Sequence, residues 1–99
     1  MQFLMIATIT SDAPKKDVIA QIRQEALAAW KLWESEIVRS VYFKADMSGA
    51  VMIMEAENIE EINTALDTLP MVHAGLLSTE IIPLKAYTGW GKLFAKELI

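Results

Sequence analysis

The stretch Leu69 to Leu84, LPMVHAGLLSTEIIPL, decides how the chain is read. Pro70 is expected to close a helix, because proline removes a backbone donor and clashes with the preceding turn. Leu76 to Leu84 is an apolar run broken by one acid, Glu80, and reads as a strand from Leu77 to Leu84. A carboxylate in such a run is costly unless it is paired or used. The only histidine, His73, lies seven residues before that acid, in the connection leading to it.

Working outward, Asn58 followed three residues later by Glu61 is a variant capping box that opens a helix. Ile59, Ile62, Ala65, Leu66 and Leu69 form its buried stripe. Before it lies a hairpin. The strand Glu36–Lys44 and the strand Ala50–Ala56 flank the turn Asp46-Met47-Ser48-Gly49, where Gly49 is available for a positive φ. A turn centred on Met47 pairs Phe43 with Val51, Val41 with Ile53 and Arg39 with Glu55. It leaves Val38, Tyr42, Met52 and Met54 on the other face.

Nearer the start, Gln2 to Ile9 is a strand apolar on both faces. Ser11 or Asp12 caps the next helix, Pro14 lies in its first turn, and the helix runs from Lys15 to Trp33. Ile19, Ile22, Ala26, Trp30 and Trp33 recur along it at spacings of three and four and make one apolar stripe.

The order is β-α-β-β-α-β over residues 1–86, with a tail over residues 87–99. That is an α+β, ferredoxin-like plait: a four-stranded antiparallel sheet with two helices on one face. Hydrophobic residues make up 54% of the 99, above the usual ~45–50%. So short a chain cannot hide them all, and two helices cover only one sheet face. A second copy packed on the other face, giving a dimeric α/β barrel, is the expected arrangement.

Nine dispersed cations against a net charge of −4 offer no basic stripe, so nucleic acid is not an expected partner. No apolar run reaches the ~18 residues of a membrane span. The opening MQFLMIATIT lacks a basic n-region, and there is no cysteine. A cytoplasmic location is expected from both. No Gly-rich phosphate loop and no metal-ligand cluster occur, so neither cofactor nor metal is expected.

The run Asn58-Ile59-Glu60-Glu61-Ile62, then Leu69-Pro70, then Glu80-Ile81-Ile82-Pro83-Leu84, resembles the muconolactone isomerase family. The likeness extends over about residues 1–86. It implies a ferredoxin-like subunit assembling as dimers or larger rings, with cofactor-free chemistry on small carbonyl compounds. It also implies Glu80 as an equivalent position. The chain departs from the family at Phe43-Lys44, where a Trp-Arg pair is usual, and in the tail around Trp90.

Candidate roles follow from side-chain chemistry. Glu80 is the candidate general base, shuttling a proton beside a carbonyl, or else an edge-strand glutamate paired with a lysine. His73 is a candidate proton partner, or a solvent-facing or capping histidine. Arg39 can stabilise a substrate carboxylate or an enolate oxygen, or else pair with Glu55. Trp30, Trp33 and Tyr42 can wall an aromatic pocket between helix and sheet, or simply fill the core. Trp90 and Phe94 read as anchors docking the tail on its own or a partner subunit, or over a pocket mouth. Three functions compete: isomerase-like proton transfer, a non-catalytic barrel that binds a small ligand or serves assembly, and a cofactor-free monooxygenase.

Overall fold

The computed structural model describes residues 1–94. Four strands, β1 (Gln2–Ile9), β2 (Val38–Phe43), β3 (Gly49–Glu55) and β4 (Leu77–Pro83), form one antiparallel sheet in the order β2-β3-β1-β4. Helices α1 (Lys15–Glu34), α2 (Ile59–Leu66) and the single turn α3 (Pro70–His73) connect them. This is the ferredoxin-like α+β plait, with β2 and β4 at the edges.

Alternation along β1 sets the two faces. Phe3, Met5 and Ala7 are buried and oppose Met54, Met52 and Ala50 on β3. Phe3, Met5, Ala7, Met52 and Met54, together with Val38, Leu32 of α1, and Ile62, Ala65 and Leu66 of α2, form one core. The helices therefore cover one face only. Each fully buried Phe or Ile there contributes about 1.5–3 kcal/mol through surface removed from water. On the opposite face stand Leu4 and Ile6 of β1, Val51 and Ile53 of β3, and Ile82 of β4, all half-buried.

Asn58 caps α2 as its side chain accepts a hydrogen bond from the Glu61 N–H at 3.0 Å. Glu61 in turn accepts from the Glu57 N–H at 3.1 Å. At three places local structure departs from expectation. Pro14, not Ser11 or Asp12, is the N-cap of α1, and no side chain caps it. Pro70 does not close α2, which ends at Leu66, but starts α3, where its fixed φ suits the first helical position. In the hairpin turn Met47 takes the positive φ (62°). Gly49 is needed for a different reason, since a Cβ there would collide with the Ala7 carbonyl.

The expected stripe of α1 faces outward. Ile19, Ile22, Trp30 and Trp33 are 48–57% exposed. The side turned to the sheet is Val18, Gln21, Glu25, Ala28 and Leu32, half-buried except for buried Leu32. Ala28 and Ala29 pack against the core beside Leu32, and the large residues are left for something else.

The hairpin register also differs. Val38 opposes Met54 and Ser40 opposes Ile53, so Arg39 is an extra residue in a β-bulge. Beyond it, Tyr42 opposes Val51 on the uncovered face, while Val41 and Phe43 oppose Met52 and Ala50 on the helix side.

Candidate active-site cleft between α1 and the β2 edge

The bulge decides where Arg39 goes. In the expected register it would have faced Glu55. Instead Glu55 binds the terminal amine of Met1 at 2.5 Å. That hydrogen bond holds the Glu55 carboxyl below the usual range, and the Arg39 guanidinium adds a weaker, longer-range pull. Among the described residues Arg39 makes no ion pair. It lines a cleft of about 470 Å³ with Trp30, Trp33, Glu34, Glu36 and Val38.

The same two tryptophans also line a second cleft, of about 390 Å³, with Ala26, Ala29, Val41, Tyr42, Phe43 and Ala50. The two hollows share a wall and fall in the size range of small-ligand sites, ~300–1,000 Å³. One end is almost wholly apolar and aromatic. The other carries a guanidinium and two carboxylates. Trp30, Trp33 and Tyr42 are thus brought together, and Arg39 joins them.

Glu36 is a residue that sequence reasoning passed over. It adopts φ 68°, in the left-handed region that favours glycine. Its N–H bonds to the Trp33 carbonyl, and the Ile37 N–H to that of Leu32, so it terminates α1 at the position usually held by glycine. A glutamate directly after the helix, where glycine is the default, was the available signal.

Glu80 and His73 lie elsewhere. Glu80 opposes Ile6 on edge strand β4, on the face away from the helices, and is exposed. His73 ends α3 in the helix layer, where its Nδ1 meets Asp67 Oδ1 at 3.2 Å, both side chains more than 70% exposed. The two do not converge within one chain, and neither reaches Arg39's cleft. Between α1 and α2 there is also an open groove of about 690 Å³, lined by Leu32, Ile37 and α2 residues such as Glu60 and Glu61. It contains none of the candidate residues.

Among the described residues no group of three His, Cys, Asp or Glu side chains is placed to hold a metal. No described helix is long and apolar enough to cross a membrane.

No family model matches the chain, and no curated protein matches it. Solved structures do. One is the 5-chloro-2-hydroxyhydroquinone dehydrochlorinase of Burkholderia phenoliruptrix AC1100, in complex with 2,5-dihydroxybenzoquinone. It is 21% identical, with a TM-score of 0.73 over 88% of this chain and 96% of that one. Another is muconolactone isomerase, 17% identical, with a TM-score of 0.73 over 89% of this chain and 92% of that one. These likenesses show a shared fold across nearly the whole of each subunit.

Proposed function

We propose that the chain is a muconolactone isomerase-like member of the dimeric α/β barrels, moving a proton on a small unsaturated carbonyl compound without a cofactor. The observation that carries this reading is Arg39, without an ion pair among the described residues, beside Trp30 and Trp33 in a cleft that also holds Glu36. The shared fold with an isomerase and with a dehydrochlorinase bound to a quinone supports the substrate class.

In this reading a flat, conjugated ring lies against the tryptophans, with its carbonyl oxygen toward Arg39. The Glu36 carboxylate takes the proton beside the carbonyl, and the C–H electron pair passes into a dienolate. Arg39 stabilises the oxyanion that develops. The protonated Glu36 then returns the proton at the far carbon of the conjugated system, so the net change is isomerisation. A positioned carboxylate of this kind contributes about 10²–10⁴-fold.

Glu80 is the competing base. It would act inside the barrel, on the face a second copy covers. His73, paired with Asp67, has no part in the cleft chemistry. Three variants test this reading on a panel of unsaturated lactones and hydroxyquinols followed by absorbance. Glu36→Gln and Arg39→Gln are expected to lose roughly a hundredfold or more of kcat/KM. Glu80→Gln is expected to keep it. Loss confined to Glu80→Gln would move the chemistry to the barrel interior.

The scattering of Glu80, His73 and Arg39 over three places favours a second reading, a non-catalytic barrel that binds a small ring compound. Quenching of Trp30 and Trp33 fluorescence by such compounds, without turnover of any, would select it. Oxygen uptake on adding a quinol would select the monooxygenase reading.

A further inference from the structure

Two apolar surfaces of this chain stand uncovered at once. One is the tail. Tyr87, Trp90, Leu93 and Phe94 are 66–86% exposed, so the tail does not bury its aromatics on its own subunit. Yet it is shaped. Tyr87 and Trp90 meet edge to face with ring centroids 5.3 Å apart. The Tyr87 ring lies so close over Gly89 that a side chain there would strike it. A short 3-10 turn, Gly89–Leu93, follows. The other surface is the outward stripe of α1 with the β2 edge, where Trp30, Tyr42 and Phe43 are 57%, 65% and 75% exposed.

We infer that the aromatic tail of a second copy of this chain docks on the α1–β2 cleft and closes its open side. Size, charge and reach all agree with that occupant. The three tail aromatics bury roughly 450–750 Å². The receiving surface buries about as much, so one docked tail approaches the ~1,200–2,000 Å² of a stable interface. From residue 85 to residue 94 the tail carries Lys85 and Lys92 and no acid, while the polar end of the cleft carries two carboxylates, Glu34 and Glu36, against one cation, Arg39. The tail leaves β4 at the sheet edge, where the Leu84 N–H bonds to the Gln2 carbonyl. Six residues from there to Trp90 span up to about 20 Å, which covers the ~10 Å between two sheets packed face to face and leaves about as much again to round the partner's β2 edge to its helix side. Reciprocal exchange of two tails is a closed, two-fold arrangement that forms no fibre.

The inference uses the cleft as a surface, so its test holds no substrate and stands apart from the proposed chemistry. The chain has no cysteine, which makes cross-linking clean. Full-length Ala26→Cys is mixed with isotopically heavy full-length Lys92→Cys under a glutathione redox buffer. Circular dichroism checks that each variant matches the parent. Intact mass without reductant is expected to show the light–heavy disulfide, lost when the heavy chain also carries Trp90→Ala and Phe94→Ala. A chain carrying both cysteines is the control for docking on its own subunit. An internal disulfide at monomer mass in that chain, or no disulfide in the mixture, overturns the inference.

Discussion

Glu25 on α1 accepts a hydrogen bond from the Met71 N–H at 2.8 Å, joining residues 46 apart in sequence. The bond ties the first turn of α3, and with it the lead into β4, to the long helix. Burial raises the Glu25 carboxyl above its ordinary range, and the Met71 bond only partly offsets this. The folded state therefore favours the protonated acid more than the unfolded chain does. Ionising Glu25 costs stability, and that loss sets in as pH rises from the ordinary value of 4.5 through the raised one. Glu25→Gln keeps an acceptor for Met71 and removes the charge. It is expected to abolish this part of the pH dependence without lowering Tm at neutral pH. Glu25→Ala leaves the Met71 N–H without its acceptor and is expected to cost about 1–3 kcal/mol. Thermal melts across pH 4 to 8 check both; a Gln variant less stable than wild type at pH 7 contradicts the account.

The bulge separates Arg39 from Glu55, so the two are coupled only weakly, through the longer-range pull of the guanidinium. In a double-mutant cycle with Arg39→Gln and Glu55→Gln, the interaction energy is expected to fall within the ~0.3–0.5 kcal/mol of independent sites. A directly opposed cross-strand pair would give up to about 1 kcal/mol. Urea titrations of the four proteins decide between the registers.

Glu36 holds a backbone conformation that glycine adopts freely. Glu36→Gly is expected to stabilise the fold by about 1 kcal/mol, which raises Tm by roughly 4–8 °C in a domain this size. The same change is expected to remove turnover. A lower Tm, or full activity on the substrate that wild type uses, contradicts the role given to this carboxylate.

Core and outward stripe should respond differently. Phe3, 1% exposed, belongs to the central cluster, and Phe3→Ala is expected to cost about 3–5 kcal/mol. Ile22, 55% exposed, lies on the outward stripe. Ile22→Gln is expected to shift chain stability by less than about 0.5 kcal/mol when measured in dilute solution. At higher concentration it is expected to weaken self-association. Chemical denaturation at two protein concentrations separates these effects.

Much of the fold was legible because it rests on period and punctuation. The doubly apolar run Gln2–Ile9, the Asn58–Glu61 cap and the turn near Met47 place the four strands, α1 and the start of α2 to within a residue or two, but not the end of α2 at Leu66 or the turn α3. The inward face of α1 was not legible. The helix carries two apolar stripes, and a period of 3.6 does not say which is inside. The sheet accepts the one built around Ala28 and Leu32, because the large residues of the Ile19–Trp33 stripe would hold the layers apart. The bulge was not legible either, since an extra residue at Arg39 answers to strand twist and to packing of Val38 in the core. That one residue takes Arg39 from the expected pair to the cleft. Trp30, Trp33 and Tyr42 were singled out from side-chain type and line one hollow. Glu36 was not, because its significance lies in a backbone angle. At the end of the tail the sequence also suggests a turn or two of helix with Leu93, Phe94 and Leu98 on one side, of which Leu98 lies outside the described residues.

One claim underlies the rest: the sheet face bearing Leu4, Ile6, Val51 and Ile53 is covered by a second copy. Sedimentation velocity of the full chain at micromolar concentration tests it most directly. The account predicts a particle at least twice the 11.1 kDa chain mass, reduced to that mass by Ile6→Lys. Wild-type protein sedimenting as a stable monomer at that concentration would contradict it.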